Sequence, residues 1–87
     1  MARYSYHRLD ANHAEIVRAL EAAGATVEPK GPLDLLVGFR GANYLIEVKT
    51  AKGKLRASQE RFLADWRGQA VVVRSAQEAL QTIGASR

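Results

Sequence analysis

Apolar residues at Ile16, Val17, Leu20 and Ala23 recur at the spacing of one helical face between Asn12 and Ala23. Asp10 or Asn12 can cap the start of this helix, and Gly24 can close its end. Ala25 to Glu28 is a short β-prone piece, stopped by Pro29, Gly31 and Pro32. Two stronger runs follow, Leu33 to Phe39 and Ala42 to Lys49, and together they read as a hairpin. After the basic loop Thr50 to Ala57, a second helical stripe of Gln59, Phe62, Leu63 and Trp66 starts at Ser58 and ends before Gly68. Ala70 to Val73 is a continuous apolar run of the kind that fills an interior strand, and Ser75 caps a last helix carrying Ala79, Leu80 and Ile83. The resulting order, αβββαβα, predicts an α/β domain with a central mixed sheet flanked by helices. The last strand, reached through a helix, should lie parallel to the one before it.

The 87 residues leave room for one core, so a single compact domain over 1–87 is expected, with 1–9 as a candidate mobile arm. No cysteine is present, which excludes a disulfide framework, a thiol nucleophile and a thiolate zinc site. Thirteen Lys and Arg against nine Asp and Glu give a net charge of +4, a balance that suits a polyanionic partner. No apolar stretch approaches the ~20 residues needed to cross a bilayer, and the polar start Met1 to Asp10 lacks the apolar segment of a signal peptide. A cytoplasmic location without membrane contact is therefore expected. There is no glycine-rich phosphate loop and no serine, histidine and aspartate set, so neither a nucleotide cofactor nor acyl transfer is indicated.

Chemistry enters through the hairpin register. If Arg40 and Gly41 are the two central turn residues, Phe39 faces Ala42 and Asp34 falls directly opposite Glu47. The Cβ atoms of such a pair are about 4.5 to 5.5 Å apart, and like charges so placed destabilise a sheet unless something neutralises them. A divalent cation would do so. Lys49 shares the face of Glu47, about 6.7 Å further along the strand, within reach of a water or phosphate oxygen beside that cation. A longer loop from Gly38 through Asn43 is the alternative and need not keep this pairing. Glu47 and Lys49 also read as a solvated strand face, and Asp34 with Lys49 as a cross-strand ion pair worth under about 1 kcal/mol. Asp34 weighs against those readings, because it interrupts the otherwise apolar run of Leu33, Leu35, Leu36 and Val37, where a lone acid costs stability for no structural return.

Asp34, followed after twelve intervening residues by Glu47-Val48-Lys49 within an αβββαβ order, resembles the PD-(D/E)xK nuclease superfamily, which shares the restriction-endonuclease-like fold. The likeness runs from about Asp10 to Leu80. The compact size and the basic loop followed by Ser58-Gln59 look most similar to the VRR-NUC group and to archaeal-type Holliday junction resolvases, many of them encoded by phages. The resemblance implies that Asp34, Glu47 and the backbone carbonyl of Val48 hold Mg²⁺ or Mn²⁺. It implies that Lys49 orients the attacking water and stabilises charge on the phosphate, and that Gln59 is the glutamine that follows the catalytic strand. Glu15 matches the acid such nucleases often carry on the first helix. On a helical wheel Glu15 lies about 40° from Ala19, at the flank of the apolar stripe, where it reads equally as an exposed acid favoured by the helix dipole. Gln59 likewise has a local reading as a helix-start residue. Two departures stand out: Leu33 separates Pro32 from Asp34 where the family has proline directly before the aspartate, and Phe62 stands where a tyrosine is expected.

Phosphodiester hydrolysis requires neutralised phosphate charge and a nucleophile made from water near neutral pH, both of which a carboxylate-bound Mg²⁺ supplies. Hard oxygen ligands and the lack of cysteine favour Mg²⁺ or Mn²⁺ over zinc. His7 and His13 are not at a metal-ligand spacing with the acids, and His13 reads as a surface or helix-start residue. DNA contacts are expected from Lys49, Lys52, Lys54, Arg56 and Arg61, from Arg40 at the hairpin tip, and from the arm Arg3, Tyr4, Tyr6, Arg8. No base-reading motif is visible, which points to recognition by shape and backbone. So small a chain has a small footprint, and a twofold homodimer facing one branched substrate is expected. The leading expectation is thus a metal-dependent, structure-selective endodeoxyribonuclease of the junction-resolvase kind. The alternatives are a nicking or general nuclease of the VRR-NUC type, a DNA-binding module of the same fold without turnover, and a small basic adaptor.

Overall fold

The computed structural model describes residues 11–85. The chain runs α1 (His13–Ala22), β1 (Thr26–Glu28), β2 (Leu35–Phe39), β3 (Ala42–Val48), α2 (Ala57–Asp65), β4 (Val71–Val73) and α3 (Ala76–Thr82), the order that the hydrophobic pattern predicts. The four strands form one mixed sheet in the order β1-β2-β3-β4. β2 is antiparallel to both β1 and β3, and β4 is parallel to β3. Among the described residues no helix is long and apolar enough to cross a membrane.

The β2–β3 hairpin turns on two residues. Arg40 (φ 51°) and Gly41 (φ 82°) both take positive φ, the backbone of a tight turn whose twist matches that of the strands it joins. Phe39 pairs with Ala42 and the register runs on to Leu35 opposite Ile46, so the longer loop is not used. Strand alternation then sorts the side chains. Leu35, Val37 and Phe39 are buried, whereas Leu36 on the other face is 37% exposed. The buried face carries Ile46, Val48 and Val73 as well, and is covered by Ile16, Val17 and Leu20 of α1 and by Ala79 and Ile83 of α3. Full burial of a side chain such as Leu35 or Ile46 stabilises the fold by about 1.5–3 kcal/mol.

Several expectations are corrected. Val71 to Val73 form an edge strand and not an interior one, since β4 pairs with β3 alone. The run is continuously apolar because Val73 enters the core on one face while Val71 and Val72 are half-buried. The stripe on α2 is not a core face either. Only Gln59 is buried, Phe62 and Leu63 are half-buried, and Trp66 is 46% exposed, stacked on Phe62 with ring centroids 5.1 Å apart. Asn12 precedes α1 but makes no side-chain cap, and Asp10 lies outside the described residues. His13 opens α1 and is buried. Ser75 caps α3 as its position predicts, its hydroxyl accepting from the Glu78 amide at 3.1 Å.

Candidate active site

Where the β2–β3 ladder ends, side chains take over its hydrogen bonds. The Val48 amide donates to Asp34 Oδ2 at 3.0 Å, and the Asp34 amide donates to Glu47 Oε1 at 3.3 Å. Each carboxylate therefore occupies a main-chain donor of the opposing strand, which locks the two acids side by side on the face away from α1 and α3. Lys49 stands next to them, its Nζ 3.5 Å from Glu47 Oε2. Glu47 Oε2 also accepts from Gln59 Nε2 at 2.7 Å, and Gln59 Oε1 accepts from the Arg56 amide at 2.9 Å. Gln59 thus bridges two elements: one end of its amide secures the start of α2, as the helix-start reading has it, and the other end bonds Glu47.

The electrostatics follow from that enclosure. Glu47 is 2% exposed, and burial raises its pKa from 4.5 to about 7, with the Asp34 charge adding to the rise and the Lys49 ammonium opposing it. A half-open cleft of about 260 Å³ lies over the pair, lined by Pro32, Leu33, Asp34, Glu47, Arg56, Ser58, Gln59 and Phe62. The leucine inserted between Pro32 and Asp34 is buried at 5% exposure, so it anchors the strand entry while Asp34 turns to Glu47. Phe62 forms a wall of the cleft and supports Trp66 behind it.

Not every predicted residue joins this cluster. Glu15 is exposed, and among the described residues no three acidic, histidine or cysteine side chains gather into a metal-holding group. The apolar face of α1 is buried against the sheet face opposite the acids, so the acid at its flank points to solvent. Of the predicted cations Arg56 lines the cleft, whereas Lys52, Lys54 and Arg61 are exposed and not part of its lining. Arg40 caps the far end of the hairpin, about 20 Å along the strands from Asp34, and its guanidinium lies 4.8 Å over the Phe39 ring. Arg3, Arg8, Tyr4, Tyr6 and His7 lie outside the described residues.

Three polar residues that hold the site's surroundings were not singled out for that role from the sequence. Asn12 Nδ2 donates to the carbonyls of Lys49 and Arg74, at 3.1 and 2.9 Å. Arg74 Nη1 donates to the carbonyls of Thr50 and Gly53, both at 2.7 Å. Gln69 pairs its amide with both main-chain groups of Leu45, at 2.6 and 3.1 Å, continuing the β3 edge beyond the reach of β4. A sequence signal existed only for Arg74, a cation directly after an apolar strand. Neither a family model, nor a curated protein, nor a solved structure matches the chain.

Proposed function

We propose that the protein is a metal-dependent endonuclease that hydrolyses phosphodiester bonds in DNA, selecting its substrate by structure, with branched or junction DNA favoured. The small α/β domain with its four-stranded mixed sheet is read as a restriction-endonuclease-like αβββαβ core. The observation that carries this reading is the interlocked pair of Asp34 and Glu47, with Lys49 at 3.5 Å, beneath an open cleft. Two adjacent carboxylates, one of them buried and hard to ionise, form an all-oxygen donor set that suits Mg²⁺ or Mn²⁺. Asp34 and Glu47 would hold the ion, with the Val48 carbonyl beside them. When bound, the ion supplies charge neutralisation and a lowered pKa for water. The chain's own groups do the rest. Gln59 fixes the Glu47 carboxylate, the Lys49 ammonium places positive charge where a phosphate oxygen or attacking water would sit, and Arg56 meets the neighbouring phosphate.

Two copies are expected to act together on one substrate, because one chain is small and leaves Leu36 and Trp66 exposed; sedimentation of the free protein and of its DNA complex tests this. The deciding assay incubates junction, flap, single-stranded and duplex DNA with Mg²⁺ or Mn²⁺, beside Asp34→Ala, Glu47→Ala and Lys49→Ala. Structure-selective cleavage lost in all three variants supports the reading, and cleavage surviving them refutes the assigned site. The absence of a third acid near the pair among the described residues favours a second reading, a DNA-binding module of the same fold. Wild-type binding without cleavage would establish it.

A further inference from the structure

We propose that Arg74 and Asn12 are positioning residues that clamp the end of β3 and the basic turn behind it, holding Lys49 and the loop cations in the arrangement that phosphates meet. This rests on the nuclease reading. The turn from Thr50 to Gly53 is closed by the Gly53 amide on the Thr50 carbonyl at 3.1 Å. Arg74 reaches across from the end of β4 and binds the carbonyls of both turn ends through the same Nη1. The turn is tight at Gly53, where a Cβ would stand 3.0 Å from Thr50 Oγ1 and 3.3 Å from the Thr50 amide, so any larger residue would require Thr50 to shift. Lys52 and Lys54, on and just after this turn, are exposed. Arg74 itself is half-buried and spends its guanidinium on backbone carbonyls.

Asn12 works at the root of the same turn. Lys49 is held at its amide by the Val73 carbonyl at 3.0 Å and at its carbonyl by Asn12 Nδ2. The same Nδ2 holds the Arg74 carbonyl, so one amide group ties together the ends of two parallel strands. Asn12 sits at the N-cap position of α1 but does not act as a cap. The side chain gives no bond to α1, and its Oδ1 is buried without a partner among the described residues. A buried orphan oxygen costs stability, and the return is the fixed main chain of Lys49. A lysine side chain is long and flexible, so its ammonium is aimed only as well as its backbone is held. A loop ordered before binding likewise loses less entropy when it meets DNA.

The test compares Arg74→Met, Arg74→Lys and Asn12→Ala with the wild type. Amide hydrogen exchange and the salt dependence of binding to a branched DNA are measured without divalent metal, and cleavage kinetics with Mg²⁺. For Arg74→Met the expected result is faster exchange at Gly53 and about tenfold weaker binding, with the slope of log K against log salt unchanged. Arg74→Lys should recover part of the affinity, and it decides the matter if the methionine variant does not fold. Asn12→Ala should lower kcat about tenfold while KM stays within about twofold. A slope reduced by about 0.9 in Arg74→Met would mean that Arg74 contacts a phosphate itself and would overturn the clamp. Unchanged Gly53 exchange would overturn it equally. Exchange and binding need no turnover, so a wild type that binds without cleaving would fail the nuclease reading while these measurements still decide the clamp.

Discussion

Replacing Glu47 by glutamine removes a charge from the site while keeping its shape; the single amide oxygen can still accept from Gln59, and the Asp34 amide then loses its acceptor at every pH. In the wild type Glu47 is 2% exposed, and its pKa is raised from 4.5 to about 7 by burial and by Asp34. A group whose pKa is higher in the folded state contributes stability that is fully present below its unfolded value and is lost as pH rises through its folded value. For Glu47 that window runs from 4.5 to about 7. A shift of this size, at about 1.36 kcal/mol per unit, makes the metal-free protein less stable at pH 8 than at pH 4.5 by about 2–3 kcal/mol from this group alone. In a domain of this size that corresponds to about 10 °C or more in Tm. The quantity to measure is the difference between wild type and Glu47→Gln, which isolates this group, by urea unfolding at pH 4.5, 6, 7 and 8 without metal. The wild type should lose stability relative to the variant across that range. Mg²⁺ at pH 8 should stabilise the wild type more than the variant, because the variant keeps only one of the two carboxylates that would hold the ion. Parallel stability curves for the two proteins would show that Glu47 ionises without penalty and would remove the electrostatic reason for a cation.

Gln59→Leu should destabilise the protein by about 1–3 kcal/mol, because both the Glu47 carboxylate and the Arg56 amide lose a partner; a urea midpoint unchanged from wild type would contradict this. Gly41→Val forces a β-branched residue into a turn position with φ 82° and should cost about 1–3 kcal/mol in thermal unfolding. Trp66→Ala should cost less than Leu35→Ala, for which about 2–5 kcal/mol is expected, since the leucine is fully buried and the indole is 46% exposed; the reverse order in denaturation would show that α2 packs more tightly than its exposure indicates.

Much of the architecture was legible because its signals are local. The periodicity of Ile16, Val17 and Leu20, the Arg40-Gly41 turn and the Ser75 cap each depend on a few neighbouring residues, and all three behave as those residues dictate. The pairing of Asp34 with Glu47 was legible for the same reason, since a two-residue turn transmits register without further choices. What failed depended on which surface lies opposite. The stripe of Phe62, Leu63 and Trp66 has helical period, but period does not reveal whether a partner face exists, and of α2 only Gln59 is buried. Val71 to Val73 read as interior because an edge strand beside a helix can be as apolar as a central one. The bonds of Asn12 to Lys49 and Arg74 join residues 37 and 62 positions apart and leave no trace in local sequence.

The placement of the acids also explains why the site and the hairpin stand or fall together. The main-chain ladder is continuous from Phe39 opposite Ala42 to Leu35 opposite Ile46, and the next rung is built from the carboxylates of Asp34 and Glu47. A one-residue slip at the turn would send those carboxylates to opposite faces, drive Leu36 into the core in place of Leu35 and Val37, and strip the Val48 and Asp34 amides of their acceptors. The penalty for that slip is thus shared between apolar burial at one end of the ladder and charged hydrogen bonds at the other. Burial of Leu35, Val37 and Phe39 on one face is what holds two like charges together on the other, in contact that isolated side chains in water would not keep.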